Sequence, residues 1–141
     1  MANVIPYAFR GELFTGTHNF ASGGDSFKLA LYTANPYNTS STAYSATSEV
    51  SASGTAYSTT GNTLTGNAVA YGTAVASCDF SDTSWTTATF AAAYGAIYND
   101  DQSDKLCVVL DFDGNKTCTN GTFTITFPSP STPADAIISM A

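Results

Sequence analysis

The residues best suited to nucleophilic or metal chemistry are one histidine, His18, and three cysteines, Cys78, Cys107 and Cys118. A serine, cysteine or threonine nucleophile needs a base beside it, usually histidine, and a third group to orient that base. His18 sits in Thr15-Gly16-Thr17-His18-Asn19-Phe20, and no nucleophile-elbow pattern occurs anywhere in the chain. Its expected role is therefore a capping or surface histidine. The two glutamates, Glu12 and Glu49, fall in segments expected at the periphery, so a carboxylate pair for acid-base work is not indicated. No CxxC is present and His18 is distant from every cysteine, which removes the usual zinc spacings. Cys107 and Cys118 would lie nearly opposite each other on a hairpin centred near Asp113, where they either cross-link or act as small buried hydrophobes.

The acidic stretches invite a calcium test, because Ca²⁺ takes clustered oxygen ligands from loops. Asp111-Phe112-Asp113-Gly114-Asn115 has the look of a calcium loop. Aligning Gly114 with the turn glycine puts Val109 at the first ligand position and Asn120 where a bidentate glutamate belongs, so the match fails. Asp100, Asp101 and Asp104 form either an irregular cation site or a solvated turn. The sequons at Asn38, Asn115 and Asn120 read as turn residues. No cofactor and no enzymatic activity are expected.

The elements that would position these residues are mostly strands. Ala8–Phe14 places Phe9 and Leu13 four apart, enough for about two helical turns before Gly16. In Ser26–Ala34, Phe27, Leu29 and Leu31 alternate with Lys28, Ala30 and Tyr32. Asn35–Asn62 reads as a long loop with short strands near Glu49-Val50 and Ala56–Thr59. Thr63–Ala70 and Thr73–Phe80 flank a Tyr71-Gly72 turn, and Thr86–Phe90 with Ala93–Tyr98 form one strand broken near Ala91–Gly95. The run Leu106–Leu110 is apolar on both faces and predicts a central strand. Turn signals at Asp113-Gly114-Asn115 and Asn120-Gly121 separate it from Thr122–Phe127, and Ala136–Met140 closes the chain. About eight short strands with almost no helix predict an antiparallel β-sandwich of Ig-like or jelly-roll type with a short N-terminal helix. The predicted division is an N-terminal arm over residues 1–25 and the sandwich over 26–141.

Composition bounds the function. The chain has 141 residues, one domain's worth, and only 11% are charged against a usual fraction of about 25%. Four Lys and Arg against eleven Asp and Glu leave a net charge of −7, so there is no basic patch for nucleic acid or an anionic membrane surface. No apolar run approaches the ~20 residues of a membrane span. The N-terminus lacks the charged and apolar regions of a secretory signal, so synthesis and retention in a cytoplasm are expected. Ser and Thr, roughly a quarter of the chain, replace the missing charge and suit the outward side of strands. Eight tyrosines exceed what a small core needs. Tyr32, Tyr94 and Tyr98 read as strand residues, and Tyr37, Tyr44 and Tyr57 as exposed loop contacts of the kind recognition surfaces use.

A set of segments then carries a resemblance. Tyr7–Phe20 (YAFRGELFTGTHNF), Asp25–Thr33 (DSFKLALYT), Ser41–Ser45 leading to Glu49-Val50, Gly95–Asp100, Val109–Phe112 and Gly121–Pro128 resemble, in order, a family of small tailed-bacteriophage virion structural proteins. An arginine that the family pattern places before Gly95-Ala96 is missing from Ala91–Tyr94, and the cysteines are particular to this chain. The resemblance implies a β-sandwich that is made in the host bacterial cytoplasm and resides in the virion. Its expected partners are the major capsid protein or other virion proteins and further copies of itself, as a homotrimer. The first expectation is a capsid decoration, or cement, protein on the outer head; the alternative is a tail or fibre-attachment protein with glycan contacts. Candidate interface residues are Tyr7, Phe9, Arg10, Leu13 and Phe14 of the N-terminal segment, with Tyr37, Tyr44 and Tyr57. That segment either binds a neighbour or plugs one end of the sandwich.

Overall fold

The computed structural model describes residues 3–128, 132 and 135–141. One helix, α1 (Tyr7–Phe14), precedes strands β1 (Phe27–Tyr32), β2 (Asn62–Thr63), β3 (Ala68–Gly72), β4 (Val75–Asp79), β5 (Thr83–Asn99), β6 (Lys105–Ile125) and β7 (Ile138–Met140). They form two antiparallel sheets, a four-stranded one in the order β2-β1-β5-β6 and a three-stranded one in the order β3-β4-β7.

The expectation of uniformly short strands is corrected by β5 and β6, which run for 17 and 21 residues and pair almost throughout. The signals at Asp113-Gly114 and Asn120 do not reverse the chain. Asp113, Gly114 and Asn120 have φ of 55°, 93° and 46°. Residues that tolerate the left-handed region serve a bulge as well as a turn, and here the β5–β6 register shifts at four places while the strands keep their direction. The reversal occurs instead at a short 3₁₀ turn, Asp100–Gln102. With no hairpin at Asp113, the Cys107–Cys118 pairing loses its geometry. Cys118 stands opposite Phe90, whereas the neighbours of Cys107 stand opposite Ile97 and Tyr98, far beyond the ~7 Å Cα separation that a disulfide spans. All three thiols are free.

Leu106–Leu110 is buried as its composition requires, yet β6 is the outermost strand of its sheet, not a central one. Two isolated bridges, Val4 to Val109 and Ala43 to Lys105, cover its free edge. The three-stranded hairpin turns at Thr73-Ala74, two residues beyond the predicted Tyr71-Gly72.

The main core draws Phe27, Leu29, Leu31, Ile97 and Val108 from one sheet, Cys78 and Ile138 from the other, and Phe9 and Phe20 from the N-terminal segment. A second cluster, with Ala30, Tyr32, Tyr98, Leu106 and Val109, lies on the opposite face of the four-stranded sheet. The alternation of β1 therefore separates two buried faces, because the Asn35–Asn62 stretch folds over the side expected to meet solvent. That stretch holds no strand before β2, and Ala56, within the predicted Ala56–Thr59 strand, has φ 63°. Gly61 ends it with φ 78° at a point where any Cβ would sit 1.9 Å from the Leu29 carbonyl oxygen, so only glycine admits the chain there. Ser84, Thr86, Thr89, Thr117, Thr119, Thr122 and Thr124 lie exposed along β5 and β6. They hydrate the surface without charge.

Candidate functional site

An isolated helix of eight residues is unstable in water, so α1 depends on what anchors it. Pro6 precedes it with φ −59°, already close to the helical value. Phe9 is fully buried, edge-on to Phe20 at 6.0 Å and tilted against His18 at 5.0 Å. Leu13 packs against the same core from a partly buried position. One turn apart from Phe9 on the anchoring side, Glu12 accepts from Lys105 Nζ at 2.6 Å and from His18 Nε2 at 2.8 Å. Both contacts cross from the N-terminal segment to its surroundings, and Lys105 opens β6.

The proton positions of this cluster follow from Asn99, the last residue of β5. Its Oδ1 accepts from the Asp101 backbone N–H, while its Nδ2 donates to Asp25 Oδ2 at 2.8 Å and to His18 Nδ1 at 3.0 Å. Turning the amide over would set oxygen against carboxylate and N–H against N–H. His18 Nδ1 is therefore an acceptor, and the ring is the tautomer that carries its proton on Nε2, toward Glu12. Burial raises the Glu12 carboxyl, but the hydrogen bonds from Lys105 and His18 outweigh it and hold the group below its ordinary value. Asp25 follows the same pattern: burial raises it, and bonds from Asn99 and the Asn19 backbone bring it below the usual range.

A carboxylate bonded to an imidazole is one half of a hydrolytic triad. Here the other ring nitrogen faces an amide instead of a nucleophile, and the imidazole is wholly buried. The expected capping or surface histidine is thus a buried strut, and Glu12, expected at the periphery, is its partly buried partner. Composition hides both facts, because they depend on Asn99 lying 81 residues from His18.

The second structured region is the loop over β1. Tyr37 and Tyr57, predicted as exposed contacts, are 6% and 3% exposed. Their rings are spent inside the chain. The Ser45 N–H donates to the Tyr37 hydroxyl, which donates to Tyr32, which donates to the Ser45 carbonyl, closing a ring of hydrogen bonds. Tyr44 is half-buried, with its ring 4.9 Å from that of Tyr98. Glu49 accepts from Tyr44 at 2.6 Å, from Tyr57 at 2.7 Å and from the Thr60 N–H at 2.8 Å. Burial, with the Glu49 carboxylate adding to it, pushes the Tyr44 and Tyr57 hydroxyls well above the free tyrosine range, so both remain donors.

Of the acidic residues tested for a cation site, Asp100 pairs with Lys28 at 3.1 Å and Asp101 accepts from the Ser26 N–H. Among the described residues no three His, Cys, Asp or Glu side chains converge as metal ligands would.

What stays outward is the far side of α1. Phe14 is 94% exposed and Tyr7 56%, with Arg10 also exposed on the same helix. An exposed phenylalanine and tyrosine on a rigidly anchored helix form an apolar patch without an internal function. Of the eight residues predicted for an interface, Tyr7, Arg10 and Phe14 therefore lie at the surface, Phe9 and Leu13 hold the helix down, and the three tyrosines pin the loop. Comparison of the chain with models of known protein families, with curated proteins and with solved structures finds no match to any of them.

Proposed function

We propose that this chain is a structural protein of a tailed-bacteriophage virion, and that it decorates the outer surface of the head by bridging capsid subunits. The body is a β-sandwich, of Ig-like or jelly-roll type, whose two sheets share one core, and it acts by binding and not by catalysis. The reading draws on the ordered resemblance of six segments to virion proteins. The observation that carries it is the exposed face of α1, where Tyr7, Arg10 and Phe14 stand outward while Phe9 and Glu12 fix the helix to the core. Rigid aromatic side chains contribute contact area at low entropy cost, which suits a protein whose work is adhesion. The internal use of both His18 nitrogens supports the same view. On a shell the expected assembly is a homotrimer at threefold positions, made in the host cytoplasm. The burial of Tyr37 and Tyr57 withdraws much of the loop surface on which a glycan-binding tail protein would rely.

Co-sedimentation with heads stripped of this protein tests the proposal. Wild-type chain should pellet with them, and a Tyr7→Ser, Phe14→Ser double variant should bind at least tenfold more weakly with an unchanged melting temperature. Equal binding by the variant would remove the helix face from the account.

A further inference from the structure

The edge of the three-stranded sheet carries an inference that stands apart from the virion reading. β3 is an end strand, and among the described residues none bonds to its outer side. Its turn has two residues, Thr73 and Ala74, between the paired Gly72 and Val75. Residues flanking such a turn exchange backbone hydrogen bonds, and the exchange alternates along the ladder. Gly72, Ala70 and Ala68 therefore bond to β4, while the N–H and C=O of Val69 and Tyr71 point away from the sheet. Natural edges are commonly blunted by lysine, proline, a bulge or extreme shortness. β3 is five residues long, reads AVAYG, has no register shift against β4 and exposes Val69 at 42% and Tyr71 at 82%.

We propose that β3 pairs with β3 of a second copy of this chain, antiparallel and about a twofold axis beside Ala70. In that register Val69 of each copy meets Tyr71 of the other as a hydrogen-bonded pair, so four outward backbone groups on each copy find partners. Side chains of directly opposed residues share a face, which sets each Tyr71 ring against a Val69, a favourable aromatic and β-branched pair. Ala70 faces its own counterpart at the closely spaced position, where a small side chain fits. Charge favours a second copy as the occupant. The chain carries −7 overall, yet no Lys, Arg, Asp or Glu occurs between Glu49 and Asp79. Two acidic molecules can therefore approach along this strand, where repulsion is least. The mouth of an apolar hollow of about 110 Å³, lined by Leu13, Val69, Ala76 and Met140 among others, extends the contact. The area is still at the low end for a specific interface, so the dimer is concentration-dependent, forming between about 10 µM and 1 mM.

Analytical ultracentrifugation of the full chain over that range tests this, beside hydrogen exchange at both ends of it. Wild type should pass from monomer to dimer, with the Val69 and Tyr71 amides slowing at least fivefold at the high concentration. Tyr71→Pro removes only an outward N–H and should stay monomeric with an unchanged melting temperature. Tyr71→Lys keeps the N–H, adds a charge, and should weaken the dimer at least tenfold. A wild-type chain that is monomeric at 1 mM, or a dimer that survives in both variants, overturns the proposal. So does a variant that dimerises normally but fails to bind heads, which would assign the edge to a capsid strand.

Discussion

Replacing Tyr57 by phenylalanine removes one oxygen from a place where the sheet itself is incomplete. β2 pairs with β1 only at Lys28 and Leu29. Beyond it, on the same side, the Leu31 carbonyl is met by the Val50 N–H at 2.9 Å and the Leu31 N–H by the Tyr57 hydroxyl at 3.0 Å. The hydroxyl stands in for a missing strand, and it simultaneously donates to Glu49 at 2.7 Å. In Tyr57→Phe the Leu31 N–H, in a residue with no exposed surface, loses its acceptor. A buried donor left unsatisfied costs about 1–3 kcal/mol, and a hydrogen bond to a charged group contributes about 1.5–3 kcal/mol. Because both bonds share one oxygen and Glu49 keeps two other donors, we expect about 2–3 kcal/mol in total, below the sum. For a chain of this length that lowers the melting temperature by about 6–12 °C. Tyr44→Phe is the control: its half-buried hydroxyl bonds to Glu49 alone, and water can replace it, for a loss of about 1 kcal/mol or less. Urea unfolding of both variants reads the difference as a shift of midpoint at constant slope. A Tyr57→Phe protein within 0.5 kcal/mol of wild type, or one no weaker than Tyr44→Phe, would refute the assignment of the hydroxyl as a strand substitute.

Two further outcomes follow from the polar cluster and the thiols. Since Glu12 is lowered in the folded protein, its contribution is present above the unfolded carboxyl pKa of about 4.3 and is lost as pH falls through the lower folded value; the stability gap between wild type and Glu12→Gln should be widest near neutrality and shrink below about pH 4, and a gap independent of pH would contradict this. Burial raises the Cys78 thiol to about 12 and pushes Cys107 well above its ordinary value, whereas Cys118 is only half-buried. In native protein an iodoacetamide label should enter Cys118 first, with the other two reacting only on unfolding; early labelling of Cys107 by peptide mapping would go against the described core.

The helix and β1 are legible in the sequence because each rests on local periodicity: Phe9 and Leu13 recur at helical spacing, and Phe27, Leu29 and Leu31 at every second residue. The outward threonines of β5 and β6 are legible for the same reason. Asp113-Gly114 misleads because a left-handed residue bends a strand or reverses it with identical local chemistry, and only the partner strand decides which. The tyrosines mislead in a related way. Beside Ser, Gly and Asn they have the composition of a recognition loop, but Tyr37 and Tyr57 close hydrogen bonds to Ser45, Leu31 and Glu49 that no short-range pattern announces. His18 depends on Asn99 and Asp25, and that triad exists only once the N-terminal segment has docked on the end of β5. The sequence thus encodes where Tyr7 and Phe14 sit on the helix, while their exposure follows from the anchoring of Phe9 and Glu12.

The central claim, a protein that coats a phage head, is tested most directly by locating the chain in density maps of the particle that carries it. The account predicts many copies on the outer head surface with the Tyr7 and Phe14 face of α1 against capsid protein. Finding the chain only at the tail, or not in the particle at all, would contradict it.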